Sequence, residues 1–124
     1  MFNIKSNIIS CIISLLFLYS CSEGETKKSF YPDGNLKREV VLEDGGNTMK
    51  EYYKSGGLLA IYELNDELNK DGKAILFFEN GVKKSELFYE NGKKNGECLI
   101  YNQDGDVLKN VFFSNDSLIK ESIK

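Results

Sequence analysis

The residues of this 124-residue chain best placed to do chemistry are its thiols, Cys11, Cys21 and Cys98. Cys21 closes the tetrad Leu18-Tyr19-Ser20-Cys21, with an aliphatic residue three before the thiol and a small one just before it. That spacing fits a lipobox. A thiolate there takes a diacylglycerol, and a peptidase that needs a small preceding residue then cuts, leaving Cys21 as the new amino terminus. Tyr19 is bulkier than the usual occupant of its place. Upstream, Lys5 is the only charged side chain and precedes the apolar run from Ile8 to Leu18, which has the length of a signal peptide and is short for a spanning helix. No basic cluster follows the run, as it would after a stop-transfer anchor. Residues 1–20 are therefore expected to be a helical lipoprotein signal peptide, with the acyl chains on Cys21 holding the product on a membrane.

Little other chemistry is available. The chain has no histidine, which removes Ser-His and Cys-His nucleophile pairs and imidazole metal ligands together. With Cys11 in the leader and Cys21 acylated, Cys98 has no partner for a disulfide or a thiolate zinc site, and it reads as a small packed residue. Asn102-Gln103-Asp104-Gly105-Asp106 has the composition of a calcium loop but fails in register, because Ile100 and Val111 would fall on ligand positions. Nineteen acidic residues face fifteen basic ones once Lys5 leaves with the leader, and the two signs are interspersed. A mildly acidic, mixed surface excludes a nucleic-acid binder. No glycine-rich phosphate loop opens a helix, so nucleotide binding has no support, and the acidic residues fall at turns and beside lysines as on a solvated face; with these absences together neither an enzyme nor a cofactor is expected.

The elements that would position any site are set by a repeat. Tyr31-Pro32-Asp33-Gly34, Tyr53-Lys54-Ser55-Gly56 and Phe78-Glu79-Asn80-Gly81 each place an aromatic residue three before a glycine, with turn formers between. A fourth copy, Tyr101-Asn102-Gln103-Asp104-Gly105, reads with one extra residue. The glycines are 22, 25 and 24 residues apart. Six residues after them stand Val40, Tyr62, Leu87 and Val111; eight after stand Leu42, Leu64, Tyr89 and Phe113. A separation of two puts both sets on one face of a strand, and the residues between them (Val41, Glu63, Phe88, Phe112) on the other. Each unit thus predicts a strand, a tight turn, a longer strand and a looser turn, the β-hairpin pattern. The expected fold is all-β, with consecutive hairpins in one elongated, twisted antiparallel sheet.

Aromatic doublets lie just before the turns, at Phe30-Tyr31, Tyr52-Tyr53 and Phe77-Phe78. Adjacent strand residues point to opposite faces, so each doublet sends one ring to each side. Tyr52, Phe77 and Tyr101 are expected on one face and Tyr53 and Phe78 on the other; these five are the candidate interaction face. Rings in rows stabilise a sheet through cross-strand pairs, and a single sheet cannot bury both rows without a cover. Residues 21–29 (CSEGETKKS) are polar and expected as a lipidated tether, with the repeat domain over 30–124 and Leu118 to Ile123 as a short edge strand.

Phe30-Tyr31-Pro32-Asp33-Gly34-Asn35-Leu36-Lys37-Arg38-Glu39 and Phe88-Tyr89-Glu90-Asn91-Gly92-Lys93-Lys94-Asn95-Gly96-Glu97 resemble the bacterial MORN-repeat variant, whose members tend to read Tyr-Tyr-Glu-Asn-Gly-Lys-Leu-Lys and then Tyr-Lys-Asn-Gly-Lys-Lys-Asp-Gly. The resemblance covers nearly all of residues 28–120 in about four copies. It departs two residues after the second-turn glycine, where family members often carry a large ring and this chain has Ala74 and Cys98. In the first unit Asn47 replaces that glycine and Met49 fills the ring slot. The resemblance implies an antiparallel sheet of hairpins. Many relatives are grouped as YwqK-type antitoxins of toxin–antitoxin systems, and other MORN repeats are linked to membranes or scaffolding, although fold analogy alone is a weak warrant for activity.

The functional expectation is a non-catalytic module for protein interaction or scaffolding at the cell envelope, with an immunity or antitoxin-like protein that neutralises a secreted toxin as the alternative. Its expected partners are the membrane, through the lipid on Cys21, and a protein or a second copy of itself. Ser22 stands where an inner-membrane retention signal would have Asp, and Glu23 and Glu25 resemble an export tag of surface lipoproteins, so the outer membrane is the expected location.

Overall fold

The computed structural model describes residues 24–123; the leader, the lipobox and Cys21 lie outside the described residues. Ten strands form: β1 (Glu25–Phe30), β2 (Leu36–Leu42), β3 (Asn47–Tyr52), β4 (Leu58–Leu64), β5 (Lys70–Phe77), β6 (Lys83–Glu90), β7 (Lys93–Lys94), β8 (Gly96–Tyr101), β9 (Val107–Ser114) and β10 (Ser117–Ile123). All pairings are antiparallel, in the order β1-β2-β3-β4-β5-β6-β8-β9-β10, while the short β7 pairs with β6. The order is the chain order. Sequence neighbours become spatial neighbours throughout, and the sheet stays open from β1 at one edge to β10 at the other. At the usual strand spacing it is roughly 40 Å wide.

The turns explain why the chain folds back where it does. In each of Tyr31–Asn35, Tyr53–Gly57, Phe78–Val82 and Asn102–Asp106, the first amide donates to the fifth carbonyl and the glycine amide to the first carbonyl. The glycine adopts φ of +84° to +97° in all four turns, a conformation that costs other residues far more. The fourth turn therefore has no extra residue. Asn102 takes the place that Tyr31, Tyr53 and Phe78 hold in the others, and its Oδ1 accepts from the amides of Asp104 and Asp106, both at 2.9 Å. Side-chain capture of the turn amides replaces what a ring contributes by packing.

Two further expectations need correction. The polar stretch read as a tether contributes β1 from Glu25 onward, so the sheet begins before residue 30. Its six residues are all exposed and bury nothing; backbone pairing with Leu36–Leu42 holds them, and hydrophobic patterning gives no sign of such a strand. The second turns are also tighter than the sequence predicts. Asn91-Gly92 and Asn115-Asp116 are two-residue turns with both φ positive, the geometry that matches the twist of a hairpin. Asn65–Asn69 repeats the five-residue pattern, with Leu68 at φ +63° in the glycine position.

One face carries the core. Cross-strand register sets Lys27, Val40, Met49, Tyr62, Ala74 and Leu87 side by side, and the row continues through Cys98, Val111 and Glu121. The seven buried hydrophobics among the described residues (Ala60, Tyr62, Leu64, Ala74, Leu87, Cys98 and Val111) all lie on this face, with Tyr89, Ile100 and Phe113 packed against them. The positions six and eight residues after each glycine are thus on the sequestered side, and the residues between them are on the other. Full burial of a side chain such as Leu87 contributes about 1.5–3 kcal/mol.

Candidate interaction surface

The five ring residues singled out from the sequence are divided by the sheet as alternation requires, and all five are half-buried. Tyr52, Phe77 and Tyr101 are on the face opposite the core row. The Tyr52 hydroxyl donates to Glu39 at 3.3 Å, and the Lys83 ammonium sits 5.6 Å from the centroid of the Tyr101 ring and 2.8 Å from the carboxylate of Glu86. Burial, with Glu39 beside it, raises the pKa of the Tyr52 phenol. Tyr53 and Phe78 lie at the turns. The Tyr53 hydroxyl donates to the carbonyl of Phe77 at 2.6 Å, as Tyr31 does to Tyr52 at 2.7 Å, and Phe78 is covered by the Lys84 ammonium at 5.7 Å. The two tyrosines thus link one repeat to the next.

The structure presents other rings more openly. Phe30 is 58 % and Phe88 44 % exposed, more than any of the five. The parity of Phe88, one residue from the buried Leu87, is the sequence signal that marks it as outward-facing. The far edge is apolar too, with Leu118, Ile119 and Ile123 all exposed on β10. That edge is guarded against its own copy. A two-fold axis that pairs two antiparallel strands preserves the faces, so a register centred on the strand sets Lys120 against Lys120 or Glu121 against Glu121. The register shift between Leu118 and Lys120 interrupts the ladder further.

Electrostatics on the two faces differ. On the outward face Glu86 bridges Lys73 at 2.6 Å and Lys83 at 2.8 Å, and hydrogen bonds from Lys73 and then Lys83 hold its carboxyl below the usual range. Glu39 similarly pairs with Lys28. On the core face Tyr62 and Tyr89 meet edge to face at 6.0 Å, and the Lys70 ammonium lies 3.6 Å from the Tyr62 centroid and 5.3 Å from that of Tyr89. Burial, then the Glu51 carboxylate and Tyr89, pushes the Tyr62 phenol up to about 12, and burial lowers Lys70. Tyr62 therefore stays neutral and serves Lys70 as a π surface. Burial also raises the Cys98 thiol, which favours its protonated form and slows its reaction, in keeping with a packing role.

This geometry agrees with the comparisons. The family described as MORN repeat variant matches residues 26–44 and 70–91, less than half of the chain. The first segment holds most of the β1–β2 hairpin and the second the β5–β6 hairpin, so the matched unit is one hairpin with its five-residue turn. The β3–β4 and β8–β9 hairpins share that turn. The matches support a MORN-repeat family. Comparison with curated proteins gives no match. Among solved structures the chain is similar to the crystal structure of TarM, with a TM-score of 0.54 and 12 % identity over 93 % of this chain. The chain spans 24 % of the TarM chain, and at that identity the likeness concerns the fold alone.

Proposed function

We propose that this protein is a non-catalytic repeat module for protein interaction, held on the cell envelope by lipid on Cys21, with the outer membrane as its location. The observation that carries the reading is the open sheet itself. Consecutive hairpins in chain order leave the face opposite the core uncovered, with half-buried rings of Tyr52, Phe77 and Tyr101 and an exposed Phe88 among charged pairs. Aromatic residues within a polar rim are what interaction surfaces are made of. The charges that oppose β10 self-pairing favour a different protein as the partner.

The test has two arms. Cys21→Ala should abolish palmitate labelling and leave the leader uncleaved; unchanged labelling removes the anchor from the proposal. Phe77→Glu should leave the full chain folded and abolish capture of the envelope partner, whereas Phe78→Glu, at the five-residue turn within the β5–β6 hairpin, should lower the melting temperature. If both variants stay folded and both keep the partner, the outward aromatic face is not the surface used.

A further inference from the structure

The core face is not filled evenly. Towards β4 the phenol of Tyr62 and the Lys70 side chain laid across it cover the row. Three and four strands on from β4, the places equivalent to Ala74 and Tyr62 hold Cys98 and Val111, so a valine stands where the row at β4 has a phenol. The result is a recess of about 230 Å³ on the β5–β9 part of the face, floored by Leu76, Leu87, Cys98, Ile100 and Val111 and walled by Tyr89 and Phe113. Its remaining lining groups are Lys84, Ser85 and Lys94. Among the described residues no carboxylate lines it. The two ammoniums sit over rings, Lys84 over Phe78 at 5.7 Å and Lys94 over Phe113 at 5.1 Å, and neither has a carboxylate partner among the described residues.

We propose that this recess binds a single-chain amphiphile with an anionic head, a medium-chain fatty acid, with its alkyl chain on Leu87, Cys98, Ile100 and Val111 and its carboxylate at Lys84 and Ser85. Three observations select that occupant. An apolar concavity gains nothing from water and accepts an apolar molecule in its place. A volume of about 230 Å³, below the range of ordinary drug-sized pockets, suits one short chain better than a two-tailed lipid. A cation at each end with no acidic lining selects a negative head over a neutral or positive one. The Lys84 end is the better of the two. Lys84 stands beside a hydroxyl donor, whereas the backbone amide of Lys94 is already bonded to the Asp116 carboxylate at 2.7 Å, which would repel a second anion. This inference is independent of the protein partner proposed above, which uses the opposite face.

Cys98 gives a local readout, because its buried sulfur lines the recess. In the full chain carrying Cys11→Ser and Cys21→Ser it is the only thiol, so its alkylation rate reports on occupancy. Decanoate should slow that alkylation saturably, decan-1-ol less, and decylammonium not at all. Lys84→Glu, an exposed substitution that leaves the core intact, should weaken decanoate protection about fivefold, the scale of an exposed ion pair. Absence of protection by decanoate overturns the proposal. Equal protection by the alcohol and the ammonium overturns the assignment of an anionic head. Protection by vesicles of an anionic two-chain phospholipid, with none by decanoate, would mean that the face docks on a bilayer and holds no single chain. Partner capture by the outward face is unaffected by any of these outcomes, so the two readings fail separately.

Discussion

The hydroxyl of Tyr53 donates a 2.6 Å hydrogen bond to the backbone carbonyl of Phe77, a residue 24 positions later in the chain and one repeat away. Tyr31 makes the same bond to Tyr52. Each links the ring at one turn to the strand end before the next, so the hydroxyls form a ladder along one end of the sheet. In a repeat array stability is the sum of unit terms and nearest-neighbour terms, and this bond is a neighbour term.

The ladder stops at Phe78, which has no hydroxyl, although the geometry would bring one to the carbonyl of Tyr101. Tyr53→Phe should therefore destabilise the sheet by about 1 kcal/mol, and Phe78→Tyr should stabilise it by up to about that much. Denaturant unfolding of the two variants and the parent, read by circular dichroism, measures both. A Phe78→Tyr variant no more stable than the parent would mean that the third rung does not form.

Turn chemistry makes an opposed pair of predictions. Gly81 has φ +84° with open space around its missing Cβ, so Gly81→Val should cost at least about 1 kcal/mol through backbone strain alone. Leu68 already bears that strain at φ +63° in the equivalent place and is 42 % exposed. Leu68→Gly should raise the melting temperature, by up to about 1 kcal/mol of stability, because relief of strain outweighs the added freedom of the unfolded chain.

The Glu86 bridge gives a pH dependence whose sign is fixed by its depressed pKa. A carboxyl held lower in the folded than in the unfolded state contributes stability above its unfolded value of about 4.3, and loses it as the pH falls through the folded pKa. Glu86→Gln should therefore melt below the parent at neutral pH. The difference should shrink as the pH falls below the ordinary carboxylate range. A gap that is the same at pH 7 and pH 3 would show that charge pairing with Lys73 and Lys83 is not its source.

Much of the fold was legible in the sequence because its signals are local. A glycine three residues after a ring sets the turn by its own φ. Residues two apart on a strand share a face whatever that face meets, which is why the spacing alone puts Val40, Tyr62, Leu87 and Val111 on one side of the sheet. What only the tertiary structure decided depends on residues far apart in sequence. Glu25–Phe30 is a strand because β2 offers it a backbone to pair with, and no pattern within ETKKSF says so. The equivalence of Asn102 to three rings rests on a hydrogen-bond pattern closed across the turn. Which aromatic row is sequestered, the Tyr53–Phe77 bond, and the recess beside Cys98 all follow from which side chains stand opposite one another in neighbouring strands. Register and side-chain volume summed across several hairpins set those contacts, and one hairpin read along its length carries neither.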